Sequence, residues 1–165
     1  MKKPSAGFEI MAMSTAKPDH TLQILTLSEY RILKAAADLM VPEAVDSPET
    51  DLAFKIDTVL AQVRPQLQSQ FKQLLWLVEW GGPFLSFRFQ RFTRMPPQGQ
   101  ARYLIAWERS RLPLKRMGFQ ALKRSVMAAY YGSEPSWQGI GYKGPWLHRG
   151  FPHEFEGKGI QTPSA

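Results

Sequence analysis

The residues of this chain best suited to metal chemistry lie near its C-terminal end. His148 and His153 are close to Glu154 and Glu156, and a third histidine, His20, lies far away. Imidazole and carboxylate groups can hold zinc, but a zinc site needs ligands at fixed spacing on a rigid frame. This region is rich in glycine and proline, and the chain contains no cysteine. We therefore predict no metal site.

Motifs for other kinds of catalysis are equally hard to find. The sequence has no Gly-x-Ser-x-Gly elbow and no phosphate-binding loop, and Gly139-Ile140-Gly141 precedes no predicted helix, as a dinucleotide fingerprint would. The lack of cysteine excludes disulfides, iron–sulfur clusters and thiol catalysis. We predict that the chain has no catalytic residues and binds no cofactor of its own.

Charge is distributed unevenly in this chain of net charge +7. Ten basic residues occur between Arg88 and Arg124, with Glu108 as the only acid among them, whereas seven acids occur between Glu29 and Asp57. Basic residues interleaved with aromatic ones suit phosphates and stacked bases. One hypothesis is therefore a stand-alone basic protein that binds nucleic acid or an anionic surface through Arg88–Arg124. In the other interpretation the aromatics form the core and the arginines face solvent or a partner.

The elements that would position these residues are helices. Apolar residues recur with helical spacing in successive segments, and the Phe84–Phe92 segment, whose aromatics alternate, is predicted helical because no second strand could pair with it. Predicted helix starts are the capping box at Thr26 and Glu29, Ser47-Pro48, Pro65, Pro97 and Pro113, and predicted ends are Val41-Pro42 and Gly81-Gly82-Pro83. The last helix should place Leu114, Met117, Ala121, Leu122, Ser125 and Ala128 on its apolar face.

The sequence thus predicts an all-α fold, a single compact helical domain of about five to six helices with a long irregular C-terminal arm. We expect a flexible N-terminal tail over 1–23, the helical domain over 24–131 and a glycine- and aromatic-rich arm over 132–165. No apolar run reaches the length of about 20 residues that a membrane span requires.

The arm is the stretch that most resembles a binding surface. Its aromatic residues alternate with glycine and proline, and exposed aromatics of this kind are typical of docking surfaces. They could also fold back over the domain's own core, and the sequence leaves both interpretations open. The predicted partner-binding residues are Tyr131, Pro135, Trp137, Gly141, Tyr142, Gly144, Pro145 and Trp146.

The arm also carries a family resemblance. The pattern from Tyr130-Tyr131 through Pro135, Trp137 and Ile140-Gly141-Tyr142 to Gly144-Pro145 resembles the C-terminal signature of the gluconate 2-dehydrogenase subunit 3 family. Weaker likenesses elsewhere are Leu25-Thr26-x-x-Glu29, Val41-Pro42, and Phe92-x-x-Met95-Pro96-Pro97 before a helix with Trp107. The resemblance covers roughly Leu25 to Trp146.

The resemblance implies a role as a small, non-flavin subunit of a membrane-associated sugar, polyol or alcohol dehydrogenase. Such subunits support the folding, stability or export of a large FAD-containing partner of the glucose–methanol–choline oxidoreductase type, which holds the flavin. Through that complex a cytochrome or quinone-linked electron acceptor is also implied. Many members carry a twin-arginine leader, which we do not find in this sequence. We therefore expect a cytoplasmic complex, peripheral to the inner membrane, rather than a periplasmic one.

Overall fold

The computed structural model describes residues 21–44, 51–85 and 90–142. Within these ranges the chain is all-α, as predicted, and contains no strand. The chain divides into two units, Met1–Tyr130 and Tyr131–Ala165. The α-helices are α1 (Leu27–Met40), α2 (Leu52–Leu60), α3 (Pro65–Leu85), α4 (Pro97–Glu108), α5 (Pro113–Tyr131) and α6 (Glu134–Gly139), with 3-10 turns at Pro42–Ala44 and Phe92–Arg94.

Helix α1 lies at the centre of the first unit and packs against α2, α3 and α4. Its predicted capping box is confirmed: Oγ1 of Thr26 accepts the N–H of Glu29, and the Glu29 carboxylate accepts the N–H of Thr26. Leu25 and Tyr30, one on each side of the cap, are both buried. The helix ends before Val41-Pro42, as predicted. A good cap and an apolar face therefore fix the position of α1 locally.

Helix α2 begins at Leu52, directly after an aspartate cap. Its N-cap is Asp51, whose Oδ1 accepts the N–H of Phe54 at 3.2 Å and whose Oδ2 accepts the hydroxyl of Tyr30 at 2.5 Å. The start predicted at Ser47-Pro48 falls on residues outside the described ranges, and the helix itself starts at Leu52. Asp51 thus caps α2 and, through its second oxygen, also joins α2 to Tyr30 of α1.

Helix α3 begins at Pro65, as predicted, but the prediction that Gly81-Gly82-Pro83 stops it is wrong, because it continues to Leu85. A Cβ atom at Gly81 would lie 2.7 Å from Cζ2 of Trp107 and 2.7 Å from the hydroxyl of Tyr103. Glycine is therefore required here for close contact with α4, and does not mark a helix end. The hydroxyl of Tyr103 donates to the carbonyl of Val78 at 2.9 Å, which joins the two helices again.

The Phe84–Phe92 segment, predicted as a helix, divides into several parts. Phe84 belongs to α3, residues 86–89 lie outside the described ranges, and Phe92 begins a 3-10 turn and is fully buried. The buried carboxylate of Glu79 fixes this turn by accepting the N–H of Thr93 at 3.0 Å and its hydroxyl at 2.6 Å.

Helix α5 buries a different face from the one predicted. Of the predicted apolar face only Leu122 is fully buried, while Leu114, Met117, Ala121 and Ala128 are exposed. The buried residues are Lys115, Gly118, Phe119, Leu122 and Val126. A Cβ at Gly118 would lie 2.8 Å from Cδ1 of Leu74 on α3 and 3.2 Å from Cζ3 of Trp107 on α4, so glycine allows α5 to approach both helices closely on this face.

Candidate partner-docking surface

The second unit begins with a short helix in a segment that the sequence predicted to be irregular. Helix α6 runs from Glu134 to Gly139, and the predicted site residue Pro135 lies in its first turn, where a missing N–H costs nothing. The N–H and hydroxyl of Ser136 both donate to the carbonyl of Ser133, at 3.0 and 2.7 Å. The start of the arm is thus regular structure rather than loop.

The end of α6 is a Schellman cap, in which a left-handed residue just past the helix turns the chain back on itself. Gly141 has a φ of 68°, and the N–H of Tyr142 donates to the carbonyl of Trp137 at 2.9 Å. The rings of Trp137 and Tyr142 meet edge to face with their centroids 5.3 Å apart. This is the apolar contact across the cap that often accompanies the motif.

One more hydrogen bond orients the Trp137 indole, whose Nε1 donates to the carbonyl of Tyr131 at 2.7 Å. Around this pair the unit leaves apolar surface in solvent: Tyr131 is 50%, Ile140 57% and Tyr142 42% exposed. The Trp137 indole is therefore oriented by a hydrogen bond within its own unit, while the apolar side chains beside it are exposed to solvent.

The structure brings four of the predicted site residues together and assigns each a local role. Trp137, Gly141 and Tyr142 form the cap, and Tyr131 supplies the carbonyl that orients the indole. Gly144, Pro145 and Trp146 lie outside the described ranges. Ile140, which is exposed beside these residues, was not among the predicted partner-binding residues. Its position directly before the cap glycine could have indicated this exposure from the sequence.

Some basic residues of the segment Arg88–Arg124 are engaged in contacts within the protein, whereas others, such as Arg109, Arg111 and Arg116, are exposed. The guanidinium of Arg91 lies 4.1 Å from the ring centre of Trp80, Lys115 is buried, and Nζ of Lys123 lies 3.7 Å from Oε1 of Glu108. The interleaved aromatics Phe92, Tyr103 and Trp107 are core residues, as the second interpretation of the sequence expected. Nucleic-acid binding stays an alternative that these contacts do not favour.

Buried carboxylates in the first unit are engaged in structural bonds. Glu29 joins the capping box to Nε1 of Trp76 at 3.2 Å, and Asp57, fully buried, accepts the backbone N–H groups of Gln23, Ile24 and Leu25 at 2.6, 3.0 and 2.7 Å. Each of these acids thus satisfies donors of another segment.

Among the described residues of the first unit, two groups have perturbed ionisation. Burial raises the pKa of the Asp38 carboxyl, against the opposing effect of the nearby Lys34 ammonium. Burial also raises the pKa of the Tyr103 hydroxyl, which keeps it a neutral donor. Neither group lies in the second unit, so their ionisation gives no indication of chemistry at the candidate docking surface.

In the described part of the chain, no three histidine, aspartate or glutamate side chains cluster as metal ligands would. No helix there is long and apolar enough to cross a bilayer. Comparisons with protein-family models, with curated proteins and with solved structures give no match.

Proposed function

We propose that this chain is the accessory, non-catalytic small subunit of a flavin-dependent sugar or alcohol dehydrogenase. Its partner is a large FAD-bearing protein of the glucose–methanol–choline oxidoreductase type, which the small subunit helps to fold and stabilise. The proposal rests on the resemblance of the arm to the small-subunit signature. A cytochrome or quinone-linked acceptor completes the proposed complex.

One structural observation supports the proposal: exposed apolar side chains lie beside a capped helix at the positions of that signature. Tyr131, Ile140 and Tyr142 are each about half exposed beside the Trp137 indole. Fixed aromatic side chains lose little entropy on docking, which suits them as interface anchors. Such a surface suits a protein partner and so supports the proposal.

Co-purification tests the proposal directly. The tagged chain, isolated from its native host, is expected to recover a large protein in stoichiometric amount with the absorbance of FAD. Recovery of the chain without flavin, under conditions in which the host makes both proteins, would refute the assignment. The gene neighbouring this one in the host is expected to encode a protein with a dinucleotide fingerprint.

A pair of variants locates the contact. Ile140→Ser removes exposed apolar area without touching the Trp137–Tyr142 cap, and we expect the complex to weaken about tenfold, as loss of an interface anchor does. Val59→Ser on α2 is the matched control, since Val59 is 58% exposed against 57% for Ile140. Equal complex yields for the two variants would place the interface elsewhere.

A further inference from the structure

A second exposed apolar cluster lies in the first unit, where α4 ends and α5 begins. Leu112 is 50%, Leu114 58% and Met117 70% exposed. Leu114 and Met117 are three residues apart on one helix, so they share a face, and Leu112 immediately precedes that helix. Large apolar side chains exposed together mark an interaction site more often than singly exposed ones do.

Arginines surround this cluster. Arg109, Arg111 and Arg116 are all exposed, and none of the ion pairs among the described residues involves them. Nη1 of Arg116 donates to the carbonyls of Ser110 and Arg111, at 2.8 and 3.2 Å, which holds its charge against the loop. From Arg109 to Ser133 the sequence contains no acid. Residues 109–117, which form the corner between α4 and α5, therefore combine exposed apolar side chains with exposed arginines and contain no acid.

The combination of apolar side chains and arginines distinguishes between the molecules that could bind at this corner. A second copy docked through the same corner would oppose arginine with arginine, which costs free energy. Nucleic acid would bind the arginines but would bury little of two leucines and a methionine, because most of its contacts are made by charged phosphates and sugars. An anionic bilayer uses both features, since apolar side chains enter the acyl boundary while the cations lie among the headgroups.

We propose that the corner formed by residues 109–117 docks this protein on the surface of an anionic lipid bilayer. Leu112, Leu114 and Met117 insert between the headgroups, and Arg109, Arg111 and Arg116 bind lipid phosphates. The contact is peripheral, since it uses one loop and the first turn of α5. It is independent of the flavoprotein proposed above, because it uses the first unit and needs no partner.

The lack of cysteine in the chain allows a direct test with the full-length protein. Met117→Cys, labelled with an environment-sensitive dye, is mixed with vesicles of phosphatidylcholine alone or of phosphatidylcholine with about one third phosphatidylglycerol. We expect a blue shift and increased emission on the anionic vesicles only. Leu67→Cys on α3, with the same label, is the control and should show no shift, because Leu67 is half exposed but lies on a different element.

Vesicle co-sedimentation completes the test. Leu114→Ser/Met117→Ser should abolish binding, and each of Arg111→Glu and Arg116→Glu should weaken it at least fivefold, the effect of losing one cation near an anionic surface. Arg64→Glu/Leu67→Ser, an exposed basic and apolar pair on another segment, should bind like the unmodified protein. All these positions are exposed, so unchanged helical circular dichroism is expected throughout.

Several results would overturn the proposal. These are equal binding to neutral and anionic vesicles, no binding to either, or binding that survives the serine substitutions. Binding of duplex DNA at the same protein concentration and salt, lost in the arginine variants but kept in the serine ones, would assign the corner to nucleic acid instead. Failure on vesicles would leave flavoprotein co-purification unaffected, so the two proposals fail separately.

Discussion

Asp57 shows how a single side chain can fix the start of a fold. Fully buried on α2, its carboxylate accepts three consecutive backbone N–H groups, those of residues 23–25. Because the capping box of α1 begins at the next residue, Thr26, this carboxylate sets the position of α1 relative to α2. Asp57 thus connects the capping box at the start of α1 to the packing of α1 against α2.

We expect Asp57→Asn to lower the free energy of unfolding by about 2–4 kcal/mol, because charge-assisted hydrogen bonds to buried donors are lost and an amide must face N–H groups. Urea denaturation measures this change. Glu108→Gln is the control and should stay within about 0.5 kcal/mol, since its pair with Lys123 is exposed. Equal stability of the two variants would contradict the anchoring role of Asp57.

The ionisation of Asp38 predicts how the free energy of unfolding depends on pH. Burial raises its pKa above the ordinary value of 3.8, so the native state binds this proton more tightly than the unfolded chain does. The free energy of unfolding therefore falls as the pH rises from below 3.8 through the native pKa, and the penalty is complete above it. Asp38→Asn does not titrate, so its stability relative to the unmodified protein should increase from about pH 4 toward neutrality.

Paired urea titrations across that range measure the difference between the two proteins. The Lys34 ammonium, 3.2 Å from Oδ1 of Asp38, favours the charged form, so Lys34→Met should enlarge the pH dependence in the protein that retains Asp38. A relative stability of Asp38→Asn that decreases toward neutral pH would show that the ion pair outweighs burial.

At the scale of elements, glycine decides which helices can approach each other. The Trp107 ring lies between Gly81 of α3 and Gly118 of α5, and either Cβ would collide with it or with its neighbours. Gly99, in the first turn of α4, has only ordinary contacts, the nearest at 3.4 Å. The two kinds of glycine look alike in the sequence.

We therefore expect alanine substitutions at the two kinds of glycine to change the free energy of unfolding in opposite directions. Gly81→Ala should destabilise the protein by about 1–3 kcal/mol, because a methyl group is forced into a packed core. Gly99→Ala should be neutral or stabilise it by up to about 1 kcal/mol through helix propensity. Thermal or urea unfolding measures both. A stabilised Gly81→Ala variant would mean that α3 and α4 are further apart than described.

The same packing explains what the sequence could and could not predict. The start of α1, the prolines that open α3, α4 and α5, and the all-α class follow from local signals, and they are confirmed. The buried face of α5 was predicted wrongly because the helix carries apolar residues on more than one side, and the side that contains Gly118 is the one that packs against Leu74 and Trp107. In the candidate site, the aromatic and glycine residues of the arm favoured an exposed surface. The sequence did not predict that Trp137, Gly141 and Tyr142 form a helix cap, because this depends on a contact across the turn.

At the scale of the molecule, positive charge is the dominant electrostatic feature. The net charge is +7, so the cations outnumber the acids that could pair with them, and the ion pairs seen between described residues are Lys34–Asp38, Lys72–Glu29 and Lys123–Glu108. Unpaired like charges repel one another in the compact state more than in an extended chain. Added salt should therefore weaken the repulsion among the cations more than it weakens the attraction within ion pairs, and so stabilise the folded state.

We expect the free energy of unfolding to rise by roughly 1 kcal/mol between about 10 and 150 mM sodium chloride, over which the screening length shortens from about 30 to 8 Å. Urea denaturation at each salt concentration measures the change, and sucrose of equal osmolarity serves as the uncharged control. Stability that falls with salt would show that attractive pairs dominate.

The Schellman cap has a consequence for judging ancestry. In the pattern Trp137-x-x-Ile140-Gly141-Tyr142, glycine is selected by a positive φ, and the two aromatics are selected by their contact across the turn. Unrelated helices that end in this way also favour glycine and an apolar pair at the same spacing. Likeness at these positions therefore measures shared geometry as well as shared descent, and positions that no cap dictates are the ones by which relatives of this chain should be recognised.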